Sequence, residues 1–309
     1  MLIKDPPIQI NDSLLMLGLN ENPLYLAKGP SEGAIFEGAV GAAGPVLQAQ
    51  LDRLHIKSDF VKQAIITHSH ADHVMAVPFL REAFPNLTIC ASREAAAALS
   101  NDKTIGSYVK VDQAYTASLA ARGSINPDVH PEPFTGRQIA IDRVIDEGDT
   151  IAVDHLVFQV LRTPGHSKCS LSFYEPAIKC LMISDATGYY VPQQSYWWPN
   201  YFTGYATYLA SIKRLAFLNT EFLCLGHNAV IKGVNAVRAY FSGALATAEN
   251  YHKRIIGEYK AGKTAPLITE QLGAEAFENI GLLDRKFYEK NCALLVKMSL
   301  KHEGIKPAK

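Results

Sequence analysis

Residues Thr67 to His73 read Thr-His-Ser-His-Ala-Asp-His, three histidines and an aspartate in seven residues, directly after the apolar positions Val61, Ala64, Ile65 and Ile66. Imidazole nitrogens and carboxylate oxygens are borderline-to-hard donors that suit zinc, iron and manganese. Crowding four of them into so short a stretch is costly without a cation to gather them. The segment therefore reads as a metal site rather than a polar turn. If Gln63 to Thr67 is a buried strand, His68 and His70 leave its end on one side while Asp72 and His73 open the next helix, so one segment can feed two adjacent metals.

The surrounding elements must hold that segment. Leu14 to Leu17, Pro23 to Ala27 and Gly33 to Phe36 are short apolar runs broken by Gly, Asn and Pro, as in a meander of antiparallel strands. Pro45 to Leu54 has helical spacing, and the strand before Thr67 follows it. Ala71 to Phe84 reads as a helix with Val74, Val77, Phe79 and Leu80 inward, Leu87 to Ala91 as a strand, and Ser92 to Leu99 as a helix capped by Ser92. From Ser100 to Arg137 the pattern loosens into an insertion across the mouth of the site, with a helix expected over Gln113 to Ala121. Strands return at Ile145 to Val153 and Leu156 to Arg162, then as a hairpin, Leu171 to Tyr174 and Cys180 to Ile183. Helices follow at Tyr205 to Leu218, Val234 to Tyr259, Pro266 to Phe277 and Leu283 to Leu300.

The Thr67–His73 motif resembles the HxHxDH signature of the metallo-β-lactamase-fold hydrolases. The remaining positions of that family's pattern occur in its order: Gly165-His166 after a strand, Asp185 ending another, and Gly226-His227 ending a third. The resemblance covers residues 10 to 233. It implies an α/β fold, an αββα four-layer sandwich with ligands on loops at one edge, residues 1–233 forming the catalytic domain and 234–309 a C-terminal helical extension. It further implies two divalent metal ions, zinc first with iron or manganese as alternatives. One ion falls to His68, His70 and His166, the other to Asp72, His73 and His227, with Asp185 bridging. Glu37 stands where relatives commonly place an aspartate that supports the metal loop, and is one methylene longer.

The reaction implied is hydrolysis without a covalent intermediate. A hydroxide shared by the two metals attacks an ester, thioester or lactone carbonyl, as in the glyoxalase II, thioesterase and lactonase branches, and Asp72 can also carry a proton to the leaving group. No GxSxG elbow competes with this reading. The aromatic stretch Gly188 to Phe202 is the candidate substrate wall through Tyr189, Tyr196, Trp197 and Trp198, and packing under the C-terminal helices or a homodimer contact is its alternative use. Tyr189 is also a candidate for reaching the oxyanion. Of the histidines outside the motifs, His55, His155, His252 and His302 read as structural or exposed, and His130, between prolines in the insertion, is the one to follow.

Composition narrows the partners. The chain has 309 residues, with 30 Lys plus Arg balancing 30 Asp plus Glu, so no net field draws it to nucleic acid or an anionic membrane. A small-molecule substrate is expected instead. The start, MLIKDPPIQI, lacks an export signal, and no run of 18 apolar residues appears, so the expectation is a cytoplasmic protein and not an antibiotic-hydrolysing enzyme. Its five cysteines are scattered without CxxC spacing and read as buried, reduced thiols. Competing readings are a phosphodiesterase of the same fold, a mononuclear iron persulfide dioxygenase using His68, His166 and Asp185, and a regulatory protein that retains the metal site.

Overall fold

The computed structural model describes residues 1–128, 131 and 134–306; His130 falls outside them. The chain opens with strands β1 (Leu2–Ile3), β2 (Ile8–Asn11), β3 (Leu14–Gly18), β4 (Pro23–Lys28) and β5 (Gly33–Phe36), then helix α1 (Ala43–Arg53) and β6 (Val61–Ile65). Helix α2 (Val77–Ala83), β7 (Thr88–Ala91), α3 (Arg93–Leu99), α4 (Asp102–Ala121) and β8 (Arg143–Val144) complete the first half. The second half carries β9 (Thr150–Val153), β10 (Leu156–Arg162), β11 (Leu171–Glu175), β12 (Cys180–Ser184), the hairpin β13 (Tyr189–Val191) and β14 (Tyr196–Trp198), α5 (Tyr205–Ala216), β15 (Phe222–Leu225) and β16 (Val230–Lys232). Helices α6 (Val234–Lys260), α7 (Ala265–Asn279) and α8 (Arg285–His302) end it.

Strands β2 to β8 form one seven-stranded sheet in sequence order, and β1-β16-β15-β12-β11-β10-β9 form the other. In β3, Leu14 and Met16 join the core shared with the second sheet, while Leu15 and Leu17 join the one beneath the helices. That is the period of two that a strand covered on both faces requires. Phe36 on β5 meets Phe158 on β10 and Phe173 on β11 at ring-centroid distances of 4.8 and 5.1 Å, and such fully buried side chains contribute roughly 1.5–3 kcal/mol each. The sheets are also joined by a polar contact, since the Tyr25 hydroxyl donates to the Leu225 carbonyl at 2.5 Å. Helices flank both sheets, giving the four layers. The C-terminal helices share the outer core through Ile255, Ile268, Leu272 and Leu295.

Two expectations change. The helix read from Ala71 is instead a short 3₁₀ turn, Ala71–His73, with α2 starting only at Val77. The Met75 and Ala76 amides donate to the Ala39 and Gly38 carbonyls at 2.9 and 3.0 Å rather than continuing a helix, and Pro78 fits only a first turn. The insertion is more regular than read: α4 begins at Asp102, where the Asn101 side chain accepts the Thr104 amide. Among the described residues, no helix is long and apolar enough to cross a membrane.

Candidate metal centre

Four loops bring the motif residues to one edge of the sandwich. The first leaves β6, anchored where the Ile66 amide donates to Cys90 and the Leu171 amide donates to the Thr67 carbonyl, both at 2.8 Å. The others leave β10 with His166, β12 with Asp185 and β15 with His227. Two of these loops need the glycine before their histidine. Gly165 has φ +133°, and a Cβ there would lie 2.3 Å from the Tyr208 backbone; one on Gly226 would lie 2.6 Å from Asp185 Oδ1.

The donor atoms converge in two groups. His166 Nε2 lies 3.2 Å from His68 Nε2 and 2.9 Å from His70 Nδ1, and the latter two are 3.1 Å apart. Asp72, His73 and His227 form the second group, with Asp72 Oδ2 at 3.6 Å from His73 Nε2 and 3.7 Å from His227 Nε2. Asp185 stands between them, Oδ2 at 3.5 Å from His166 Nε2 and Oδ1 at 3.2 Å from His227 Nε2. The structure thus brings together all seven residues of the expected ligand set.

The donor set fits divalent cations. Three nitrogens of neutral rings pointed at one another at about 3 Å cannot all be satisfied by sharing protons, whereas metal–nitrogen bonds of about 2.0–2.1 Å accommodate that spacing. His73 Nε2 and Asp185 Oδ1 are buried with no hydrogen-bond partner, although both face the group. The outer nitrogens are held as ligation demands. His73 Nδ1 meets Glu37 Oε2 at 2.8 Å, His166 Nδ1 the Asn200 carbonyl at 3.2 Å, and His227 Nδ1 the Glu21 carbonyl at 2.6 Å. His68 Nδ1 faces the Thr67 and Ser184 hydroxyls at 3.2 and 3.3 Å. With an acceptor behind each of these four rings, Nδ1 carries the proton and the Nε2 lone pair points inward, whereas His70 faces the group through Nδ1.

Electrostatics divides the set in the same way. Burial and the neighbouring imidazoles hold His68 well below the usual range, and burial pushes His166 down to about 3. Burial also disfavours charge on His73 and His227, but it is outweighed by Asp72, Glu37 and Asp185 at His73, and chiefly by Asp185 at His227, so both are raised. Asp185 is held well below the carboxylate range; burial opposes this and His227 and His73 overcome it.

The centre opens into a cavity of about 410 Å³. His70, Asp72, His166, Asp185 and His227 reach it, and its walls come from Tyr108, Val111 and Tyr115 of α4, from Tyr189, Trp198 and Phe202, and from Leu282, Leu283, Phe287 and Tyr288. Among the described residues no lysine or arginine lines it. Of the four aromatics named from sequence, Tyr189 and Trp198 line this cavity and the other two turn away. Trp197 packs on Tyr190 and Tyr240 with centroids 4.4 and 5.7 Å distant, and the Tyr196 hydroxyl meets that of Tyr251 at 2.9 Å. Tyr288 went unnoticed in the sequence; its hydroxyl accepts the Leu282 amide at 2.9 Å and fixes the α7–α8 connection over the cavity.

Comparison with known proteins agrees with this fold. The sequence profile described as "Metallo-beta-lactamase superfamily" matches residues 24–227. Hydroxyacylglutathione hydrolase of Xylella fastidiosa (strain 9a5c) is 28% identical over 133 residues, which are 43% of this chain and 34% of that protein, so the chain spans about a third of that relative's length. A metallo-beta-lactamase family protein of Thermus thermophilus superposes with a TM-score of 0.65 at 20% identity, covering 96% of this chain and 95% of that one. A subclass B3 metallo-beta-lactamase of Bradyrhizobium japonicum superposes with a TM-score of 0.58 at 17% identity, covering 84% and 97%. At such identities the superpositions establish a shared fold.

Proposed function

Since the chain belongs to the metallo-beta-lactamase superfamily, we propose that it is a dinuclear metal-dependent hydrolase of an ester, thioester or lactone carbonyl. The observation that carries this reading is the pair of donor groups flanking Asp185 at the floor of a cavity whose walls are largely apolar. Bound divalent ions would supply Lewis acidity toward the carbonyl oxygen and lower the pKa of the attacking water. His68, His70 and His166 would hold one ion, Asp72, His73 and His227 the other, and Asp185 both.

The chain's own residues do the rest. Tyr115, Trp198, Leu282 and Phe287 bury the apolar part of a substrate and exclude bulk water from the reacting carbonyl. Asp72 has a side chain 25% exposed while that of Asp185 is 7% exposed, so Asp72 is the carboxylate placed to take the proton of the attacking water and pass it to a departing oxygen or sulfur. The largely apolar walls speak for a substrate with an apolar acyl part over a phosphodiester.

A panel of thioesters, lactones and bis-p-nitrophenyl phosphate tests the reading on wild type and Asp185→Asn. Carbonyl turnover that Asp185→Asn abolishes is expected. Phosphodiester cleavage without carbonyl hydrolysis would overturn it.

A further inference from the structure

Two histidines that the sequence leaves as structural or exposed meet in the fold. His252 lies on α6, while His302 and Glu303 end α8, the latter 51 residues further along the chain. His252 Nε2 stands 3.2 Å from Glu303 Oε1, and one donor atom from each of the three residues lies within 4.8 Å of the other two. Tyr205 of α5 sets both rings: it stacks on His252 with centroids 4.0 Å apart and meets His302 edge-on at 5.0 Å. The cavity over the metal centre is lined by other residues.

An ion pair alone accounts for little of this arrangement. The Glu303 side chain is 37% exposed, and a pair open to water contributes little. His252 is 9% exposed and keeps a buried Nδ1 with no hydrogen-bond partner among the described residues, whereas a histidine that serves only packing has both ring nitrogens satisfied. An ion pair also gives His302 no part beside it. Two imidazoles and a carboxylate suit a borderline divalent cation, and tetrahedral zinc, with bonds of about 2.0–2.2 Å, sets such donors about 3.3 Å apart. The His252–Glu303 pair already has that spacing, and the exposed His302 side chain can turn in to complete it.

We propose that His252, His302 and Glu303 form a further zinc site, with water as the fourth ligand, that clasps the end of α8 to α6. Two of its three donors are exposed, so it binds more weakly than the buried centre and fills when zinc is added. Its place in the fold gives it a consequence. Ser299, one turn before His302, meets the Tyr201 hydroxyl at 3.0 Å, and the carbonyl of the adjoining Asn200 faces His166 Nδ1. Phe287 and Tyr288 of the same helix wall the cavity. The clasp therefore steadies the helix that covers the centre, whatever reaction the centre performs.

Zinc titration of the full chain against a competing chromophoric chelator tests it. After the centre has filled, wild type should take up one further ion, and His302→Ala and Glu303→Gln should each fail to do so, with the earlier binding steps unchanged. Both residues are exposed, so neither substitution threatens the fold. The further ion should also slow amide exchange in the last turn of α8 in wild type but not in His302→Ala. Wild type that binds no more zinc than His302→Ala would overturn the site, and so would a further ion retained by both variants, which would then sit elsewhere on the surface. The comparison is between wild type and variant whatever number of ions the centre holds, so its failure leaves the hydrolase reading intact.

Discussion

Nδ1 of His73 lies 2.8 Å from Oε2 of Glu37, and both side chains are buried. Glu37 closes β5 with φ +80°, a conformation in which its extra methylene reaches the ring, and it also accepts the Thr67 hydroxyl at 2.9 Å. One carboxylate thus orients His73 and the start of the motif. Glu37→Gln is expected to keep the fold but weaken zinc binding by about 10–100-fold, read by competition with a chromophoric chelator. Unchanged affinity would mean that Asp72 and Asp185 suffice to orient the ring.

Metal binding should release protons. The surrounding carboxylates raise His73 and His227 above the ordinary imidazole range, so each holds its second proton to higher pH than a free ring does, and a cation must compete with that proton. The sign follows: their pairing stabilises the metal-free fold at low pH and is lost as pH rises through their raised values, while zinc affinity increases in the same direction. Zinc titration at pH 7 in buffers of different ionisation enthalpy should show proton release, and heats independent of buffer would contradict this.

Tyr288→Phe tests the strap over the cavity. The change strands the Leu282 amide, which the hydroxyl accepts at 2.9 Å in a buried position. Denaturant unfolding should show a loss of about 1–3 kcal/mol, with faster amide exchange at Leu282. Unaltered exchange would mean that the Arg122 hydrogen bond to the Ile280 carbonyl holds the strap alone.

The two tryptophans should separate packing from binding. Truncation to Ala should cost about 3–5 kcal/mol in stability at the buried Trp198, which lies against Tyr288, and less at the half-buried Trp197, which lies against Tyr190 and Tyr240. Only Trp198→Ala should shift KM for an acyl substrate severalfold, since Trp198 lines the cavity. Equal KM effects would show that the hairpin moves as a unit.

The site was legible because its ligands sit in short local patterns: three histidines and an aspartate in one loop, and a glycine before each of His166 and His227 whose missing Cβ the fold uses. The rings' outer partners were less so. Asn200 and Glu21 act through backbone carbonyls, which every residue possesses, so no residue type marks them. The aromatic hairpin was found but not its facing: Trp197 and Trp198 alternate across β14, and only the tertiary position of α6 and α8 decides which side is the cavity. Helix α4 was read too short because Gly106 and the β-branched Thr104, Val109 and Val111 weaken its helical signal. Packing against the 3₁₀ turn of the motif offsets that weakness.

The central claim is tested most directly by thioester turnover in protein purified without added metal or chelator, with metal content measured by mass spectrometry on the same sample. About two metal ions per chain are expected, with turnover lost on chelation and restored by zinc or manganese. Turnover that persists in metal-stripped protein would contradict the account.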